Sequence, residues 1–278
     1  LITTPESLNI LLTSEGGRAG LSGVRCVILD EVHAVVESKR GVHLITAVER
    51  LVRLAGEVQR VALSATVRPL AEVARWVGGA APAGDDPLAP PAPRPVRVLA
   101  SGERKRYDLK VGFPAAAVEE ADEASPEYWP ALVGEVADHV RANRSTLVFG
   151  NSRRLVEKLT RSLNDAAGGE LVYSHHGSLA REIRQVVEER LKAGALRGIV
   201  ATSSLELGID VGALDEVVLV QTPHSLASAA QRIGRAGHTV GGVARARFVP
   251  LFARDLLDAA VVAEAVAAGE IEPLRPIA

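Results

Sequence analysis

Short apolar runs alternate with helically spaced apolar positions along most of the chain. In the first part, apolar runs at 24–29 and 61–63 predict strands, and the spacing over 44–54 predicts a helix. The second part repeats this alternation, with strands predicted at 146–149, 171–173, 199–201, 217–220 and 243–249, and helices at 129–142, 153–163, 181–192 and 225–235. Strands that alternate with helices favour an α/β fold with parallel sheets.

Two stretches interrupt this alternation. Prolines between 78 and 95 predict an exposed loop that stays outside any sheet, and further strands are predicted at 96–99 and 108–111. The stretch 115–126 is acidic and rich in small residues, which is typical of a linker. We therefore expect a first domain at 1–112, a linker at 113–130, a second domain at 131–254, and the start of a following helical or winged-helix domain at 255–278.

The beginning of the chain indicates that a segment precedes it. Residues 1–5 have the pattern of the end of a strand that is already under way, and the 278 residues contain no Met. A translated chain begins with Met, whose removal normally requires a small second residue, and Leu1 is not small. We therefore expect the first domain to begin upstream of Leu1.

Composition excludes several classes of protein. Hydrophobic residues make up 47% of the chain and charged residues 24%, and no apolar run approaches the ~18–20 residues of a membrane span. The lone Cys26 excludes a disulfide scaffold and a multi-cysteine metal site, and its apolar strand predicts that it is buried. A net charge of −2 neither indicates nor excludes nucleic acid, because a phosphate-binding groove needs only a local basic lining.

Polar residues follow the two strands predicted in the first part of the chain, where open α/β sheets place their ligands. Asp30 and Glu31 follow the strand at 24–29, where Asp30 can hold Mg²⁺ and Glu31 can orient or deprotonate a water. Ser64 and Thr66 follow the next strand and could link a nucleotide site to a strand-binding site. Taken alone, these residues also fit a polar strand exit and a turn or helix cap.

Two further segments carry hydroxyl and arginine side chains. The hydroxyls at 202–204 can donate to backbone phosphates, and Gly208 permits close approach. Arg232 and Arg235 lie at a helix end, and such arginines can stabilise charge at a γ-phosphate. Taken alone, the segments also fit a polar loop and a solvated basic face. A metal site at 175–176 is disfavoured, because adjacent histidines point apart on a strand and no third ligand is spaced nearby.

The order of these segments resembles that of the superfamily 2 DEAD/DEAH-box helicases over nearly all of the chain. Residues 4–6 are similar to motif Ib, DEVH at 30–33 to motif II, and 64–66 to motif III. Motifs IV, V and VI are similar to residues 145–154, 201–210 and 231–238. The sequence most resembles that of the large helicase-related (Lhr) proteins in six segments. These are SKRGVHL at 38–44, LSATVRPL at 63–70, STLVFGNSRRL at 145–155, HHGSL at 175–179, ATSSLELGID at 201–210 and QRIGRAGH at 231–238.

This resemblance implies two RecA-like parallel-sheet domains of a P-loop NTPase helicase core, the first of them N-terminally incomplete. It implies ATP and Mg²⁺ as cofactors, with ATP bound between the two domains. The implied partners are single-stranded DNA or RNA and duplexes with a single-stranded tail, and no membrane. The implied activity is ATP-dependent translocation that unwinds DNA or RNA–DNA duplexes with 3′-to-5′ polarity, linked to DNA repair. We expect a cytoplasmic location.

The resemblance also implies roles for individual residues. Catalysis is assigned to Asp30, Glu31 and Arg235, and Asp30 is also the metal ligand. Nucleotide binding or coupling is assigned to His33, Ser64, Thr66, Gly208, Asp210, Gln231, Arg232 and His238. Binding of the nucleic-acid strand is assigned to Thr4, Pro5, Glu6, Asn151, Arg153, His176, Thr202 and Ser203.

The chain departs from the family pattern at two points. It contains neither G-x-x-x-x-G-K-[ST] nor any Gly-Lys pair, so we expect the phosphate-binding loop upstream and no ATP hydrolysis by this chain alone. His238 stands where many relatives have a final Arg, which makes Arg235 the stronger arginine-finger candidate.

Two other functions are considered. The HHGSL and TSSLELGID motifs argue against a Ski2-like RNA helicase. A nucleic-acid-binding scaffold without ATPase activity is supported only by the absence of a phosphate-binding loop from this sequence.

Overall fold

The chain divides into two structural units. A computed structural model describes residues 1–81, 90–100, 105–115, 127–206, 212–237 and 242–277. The first unit comprises Leu1–Gly102 together with Ile271–Ala278, and the second comprises Glu103–Glu270. The predicted boundary at 112 therefore differs from the structure, and most of the predicted linker at 113–130 lies outside the described residues.

The first unit packs helices around a short parallel strand pair. Its elements are α1 (Pro5–Leu11), α2 (Glu15–Leu21), β1 (Cys26–Leu29), α3 (Lys39–Ala55), β2 (Gln59–Ala62), α4 (Leu70–Gly78), β3 (Ala80–Ala81) and β4 (Ala92–Pro93). Strand β1 pairs with β2 in parallel register, so Leu29 lies opposite Ala62. Both predicted strands are therefore confirmed, and their carboxyl ends lie side by side.

Helix α3 supports these strands. The Ser38 hydroxyl accepts a hydrogen bond from the Gly41 amide and caps the helix, which ends at Gly56 with a φ of 85°. Its buried Val48 joins a core cluster with Leu29 of β1 and with α4. Burial of this apolar face fixes where β1 ends and therefore where the polar residues after it begin.

Four expectations for the first unit are wrong. Residues 1–4 form no strand, because the Thr4 side chain caps α1, with Pro5 at the start of the helix. Cys26 is exposed, because the described residues pack no layer on its face of β1. The proline-rich loop enters a ladder at its ends, where Ala80 pairs with Pro93 as a short edge strand that tolerates proline. Residues 96–99 form no strand.

The second unit contains a parallel sheet covered on both faces. Its elements are β5 (Arg106–Val111), α5 (Tyr128–Ala142), β6 (Thr146–Gly150), α6 (Arg153–Ala167), β7 (Val172–His175), α7 (Arg181–Lys192), β8 (Gly198–Ala201), β9 (Glu216–Val220), α8 (Leu226–Ile233), β10 (Val243–Val249) and α9 (Ala253–Ala268). Among the described residues the sheet has six strands in the order β5-β10-β9-β6-β8-β7. Helices α5 and α6 cover one face, and α7, α8 and α9 cover the other. This double burial explains the continuous apolar runs of these strands.

Helix α9 belongs to this sheet. Its residues Ala259, Ala263 and Val266 join the same core cluster as α7 and α8. The expectation that residues 255–278 begin a further domain therefore differs from the structure up to the end of α9. Within the described residues, no helix is both long and apolar enough to cross a bilayer.

Candidate functional site

The carboxylates at the end of β1 are held in an unusual backbone conformation. Glu31 has a φ of 50°, in the left-handed region that non-glycine residues seldom adopt, and its amide donates to Asp30 Oδ1 at 2.9 Å. The Val32 amide donates to the Leu63 carbonyl at 3.1 Å and anchors this turn to the β2 exit. The Glu31 side chain is 38% exposed, so water reaches its carboxylate.

His33 joins this turn to the residues after β2. Its Nδ1 lies 3.1 Å from the Ala65 amide and 3.2 Å from Ser64 Oγ. Because an amide only donates, Nδ1 accepts, and the proton of the neutral ring is on Nε2, 3.5 Å from Glu31 Oε2. Burial lowers the pKa of His33, against the opposing effect of the Glu31 and Asp30 carboxylates, so the ring is neutral near pH 7.

The structure thus brings together four of the predicted site residues of the first unit: Asp30, Glu31, His33 and Ser64. Thr66 is exposed two residues beyond Ser64.

The residues predicted to form motif Ib make contacts within the protein. The Thr4 hydroxyl accepts from the Ser7 amide at 3.2 Å as a helix cap. Arg40 donates to both carboxylate oxygens of Glu6, at 2.9 and 3.4 Å, and this hydrogen bonding lowers the Glu6 pKa to about 2. Glu6 is therefore an anion paired with Arg40, which suits it to positioning Arg40 better than to contacting phosphate directly.

In the second unit, three loops meet at the carboxyl ends of β6, β8 and β9. Gly150 of β6 pairs with Val220 of β9, and Phe149 pairs with Ala201 of β8. Asn151 and Thr202 therefore follow neighbouring β-strands at one edge of the sheet. Both residues are predicted to bind a nucleic-acid strand. Arg153 and Ser203 are exposed, as strand contacts require.

Arg232 is a buried brace between these loops. Its Nε lies 2.9 Å from Glu206 Oε2, its Nη1 donates to Asn151 Oδ1 at 2.9 Å, and its guanidinium lies 5.2 Å from the centre of the Phe149 ring. Asn151 in turn donates to the Thr222 carbonyl at 2.6 Å. These contacts hold the predicted motifs IV, V and VI together, so Arg232 serves first to position the loops. Gln231, beside it, is half-buried.

Arg235 lies less deeply than Arg232. Its Nε donates to the Glu206 carbonyl at 3.1 Å, and Nη2 donates to the same oxygen. Lys105 approaches the same turn and donates to the Gly234 carbonyl at 2.8 Å. Burial, and after it the Arg235 charge, lower the Lys105 pKa, so a second cation lies close to the candidate finger.

Sequence reasoning missed Glu206 and Lys105. Glu206 accepts from Arg232, from Ser228 Oγ at 3.0 Å and, through its carbonyl, from Arg235. No local signal marks it, because its partners lie more than twenty residues along the chain. Gly208, Asp210 and His238 lie outside the described residues.

His176 does not lie where a strand could reach its ring. Its side chain is 4% exposed, and Nε2 lies 3.2 Å from Glu157 Oε1 of α6. The prediction that His176 binds a nucleic-acid strand directly is therefore wrong, because the backbone directly after β7 turns the ring towards α6.

The buried Glu206–Arg232 pair gives a stability prediction. We expect Glu206→Ala to destabilise the second unit by about 3–5 kcal/mol, because it leaves the Arg232 charge buried without its carboxylate. Glu206→Gln, which keeps an acceptor, should cost less. Urea unfolding of the chain measures both, with the exposed Asp138→Ala as a control of small effect. Equal midpoints for Glu206→Ala and the control would show that Arg232 does not depend on this pair.

Comparison with known proteins agrees with this geometry. A model described as DEAD/DEAH box helicase matches residues 1–73, and one described as helicase conserved C-terminal domain matches residues 127–239. Over 99% of its length the chain is 45% identical to the Lhr helicase/uracil glycosylase of Escherichia coli (strain K12) and 37% identical to the ATP-dependent helicase Lhr-Core of Methanothermobacter thermautotrophicus. The solved structure of Mycobacterium smegmatis helicase Lhr bound to ssDNA and AMP-PNP superposes on the whole chain with a TM-score of 0.87 and 44% identity.

The chain belongs to the Lhr family of DEAD/DEAH-box helicases. The predicted pair of RecA-like α/β domains is confirmed. The chain spans 20% of the E. coli relative, 31% of the archaeal relative and 35% of the M. smegmatis chain. The glycosylase named for the E. coli protein concerns that protein.

Proposed function

We propose that this Lhr-type chain forms part of an ATP-driven motor that moves along single strands and unwinds DNA or RNA–DNA duplexes, in the context of DNA repair. The observation that carries the proposal is the turn after β1, where a water-accessible Glu31 lies beside Asp30 and is linked through His33 to Ser64. The M. smegmatis relative, bound to ssDNA and AMP-PNP, supports a strand and a nucleotide as ligands.

The donor set at this turn fits Mg²⁺ with ATP. One Asp30 oxygen accepts the Glu31 amide, which leaves the second oxygen for a hard cation. Within the described part of the chain no three acidic, His or Cys side chains converge, which suits an ion held by one carboxylate and by phosphates rather than a protein-only cage. When bound, the ion supplies positive charge that offsets the charge of the phosphates.

The side chains of the chain itself divide the remaining work. Glu31 orients the attacking water and accepts its proton, while neutral His33 holds the turn against the β2 exit. Arg235 stabilises charge that develops on the γ-phosphate, for which it leaves the Glu206 carbonyl. Thr202, Ser203 and Arg153 contact the strand backbone.

The test is to measure strand-stimulated ATPase and the unwinding of DNA, RNA and RNA–DNA duplexes by the full-length protein. We expect turnover with single-stranded DNA, and unwinding of DNA or hybrid duplexes that carry a 3′ single-stranded tail. Unwinding of RNA duplexes alone would favour a Ski2-like activity. Strand binding without turnover would favour a scaffold. A cytoplasmic location stays a prediction.

We expect purified residues 1–278 to hydrolyse no ATP above background. A P-loop supplies the backbone amides and the Lys that hold the β- and γ-phosphates, and this sequence has no G-x-x-x-x-G-K-[ST]. A phosphate-release assay with saturating single strand measures this, with the full-length protein as positive control. Strand-stimulated turnover from this chain would show that its ATPase does not depend on such a loop.

A further inference from the structure

Two adjacent histidines hold the end of β7 between opposite helical layers. His175 points towards α7, where its Nε2 lies 3.1 Å from Glu188 Oε1, whereas His176 points towards Glu157 of α6. His175 is the last residue of β7 and His176 directly follows it, and each ring meets a different helix. The His175 side chain is 1% exposed, and the proposed chemistry makes no use of it.

His175 is also attached to the turn that follows β8. Its Nδ1 lies 2.8 Å from Ser204 Oγ, its carbonyl accepts from the Thr202 amide at 3.2 Å, and the same carbonyl lies 3.0 Å from Ser204 Oγ. The Thr202 hydroxyl reaches Ser204 Oγ at 3.4 Å. Residues 202–204 are therefore tied to one residue of the neighbouring strand through both its backbone and its ring.

The proton positions show what Glu188 contributes. A carboxylate accepts hydrogen bonds, so the favourable partner for Glu188 is an Nε2–H, and Nδ1 of the neutral ring is then an acceptor. Nδ1 and the His175 carbonyl lie 2.8 and 3.0 Å from Ser204 Oγ and share the single proton of that hydroxyl. Burial lowers the His175 pKa, as do Arg184 and His176, while Glu188 opposes them. Glu188 thus selects the tautomer that receives Ser204, in the manner of a group that orients a functional histidine.

We propose that His175, oriented by Glu188, is a positioning residue that holds the 202–204 turn in the geometry that binds a single strand. This inference rests on the proposed function, since it assigns the turn to the strand. Ser203 is exposed at the tip of the turn, and Glu206 beyond it holds Arg232 and Arg235. The His175 ring therefore positions the residues that contact the nucleic-acid strand and does not itself touch that strand.

The test compares single-strand binding and strand-stimulated ATPase in the full-length protein. His175→Ala should raise the half-saturating strand concentration about tenfold while maximal turnover on saturating strand stays within about twofold. His175→Asn, whose amide can replace Nδ1 at Ser204, should restore most of the affinity. Glu188→Gln should weaken strand binding less than His175→Ala does.

The matched control is Glu157→Gln, the same change at the carboxylate that faces the other histidine, and it should leave strand affinity unchanged. Thermal unfolding separates positioning from loss of fold. Unchanged strand affinity in a folded His175→Ala variant, or a parallel loss of affinity, turnover and melting temperature in His175→Ala and His175→Asn alike, would overturn the proposal. Absence of turnover in the wild type would overturn the proposed function instead, and strand binding by fluorescence anisotropy would still test His175.

Discussion

Glu31→Gln in the full-length protein is expected to reduce strand-stimulated ATP turnover by at least about 10²–10⁴-fold while ATP binding stays nearly unchanged. The amide keeps the shape of the side chain and its place in the turn, but it cannot take a proton from water. The measurements are steady-state phosphate release with saturating single strand, and equilibrium binding of a non-hydrolysable ATP analogue.

Two further variants make this result specific. Asp30→Ala should weaken Mg²⁺-dependent nucleotide binding, which Glu31→Gln should not do. Glu72→Gln, an exposed carboxylate on α4, should leave both quantities at the wild-type value. Near-normal turnover in Glu31→Gln would exclude Glu31 as the base, whatever the effect at Asp30.

Arg235→Ala is expected to lower turnover by about 10³–10⁵-fold, because an arginine finger acts on charge in the transition state. Arg235→Lys should rescue poorly, since an ammonium lacks the planar fork of the guanidinium. Single-strand affinity without nucleotide should change little in both variants. The ATPase rate and strand anisotropy at fixed salt measure the two effects.

The control for Arg235 is Arg254→Ala, an exposed arginine of α9 in the same unit. It should preserve both turnover and strand binding. If Arg235→Ala instead lost strand binding and kept its turnover on saturating strand, Arg235 would belong to the strand-binding surface, and the assignment of residues 231–238 would fail.

The second unit was easier to predict than the first for a physical reason. Strands buried on both faces of a parallel sheet are continuous apolar runs, so β10 at 243–249 and α7 at 181–192 begin and end where the pattern places them. Helix α2, in contrast, has the sequence EGGRAGL and buries only Leu21, so neither propensity nor periodicity marks it. Its position comes from packing against α3.

The candidate site likewise contains features that the sequence predicts and features that only the folded structure shows. The order of motifs predicts that Asp30 and Glu31 follow a strand, and the structure adds that His33 ties them to Ser64. The contacts by which Arg232 joins the loops could not be predicted, because its partners Glu206 and Asn151 lie on loops that meet only once the sheet has formed. Burial of His176 likewise depends on helix α6, whose Glu157 lies beside its ring.

The left-handed backbone of Glu31 means that folding and chemistry make opposite demands at one position. Such a conformation costs on the order of 1–3 kcal/mol for a residue with a side chain, whereas glycine adopts it freely. Selection for thermal stability alone would therefore favour glycine at position 31 and would remove the carboxylate with it. Consensus or stability-guided redesign of this chain has to hold Glu31 fixed, because the residue that the proposed reaction requires is less stable in this conformation than glycine.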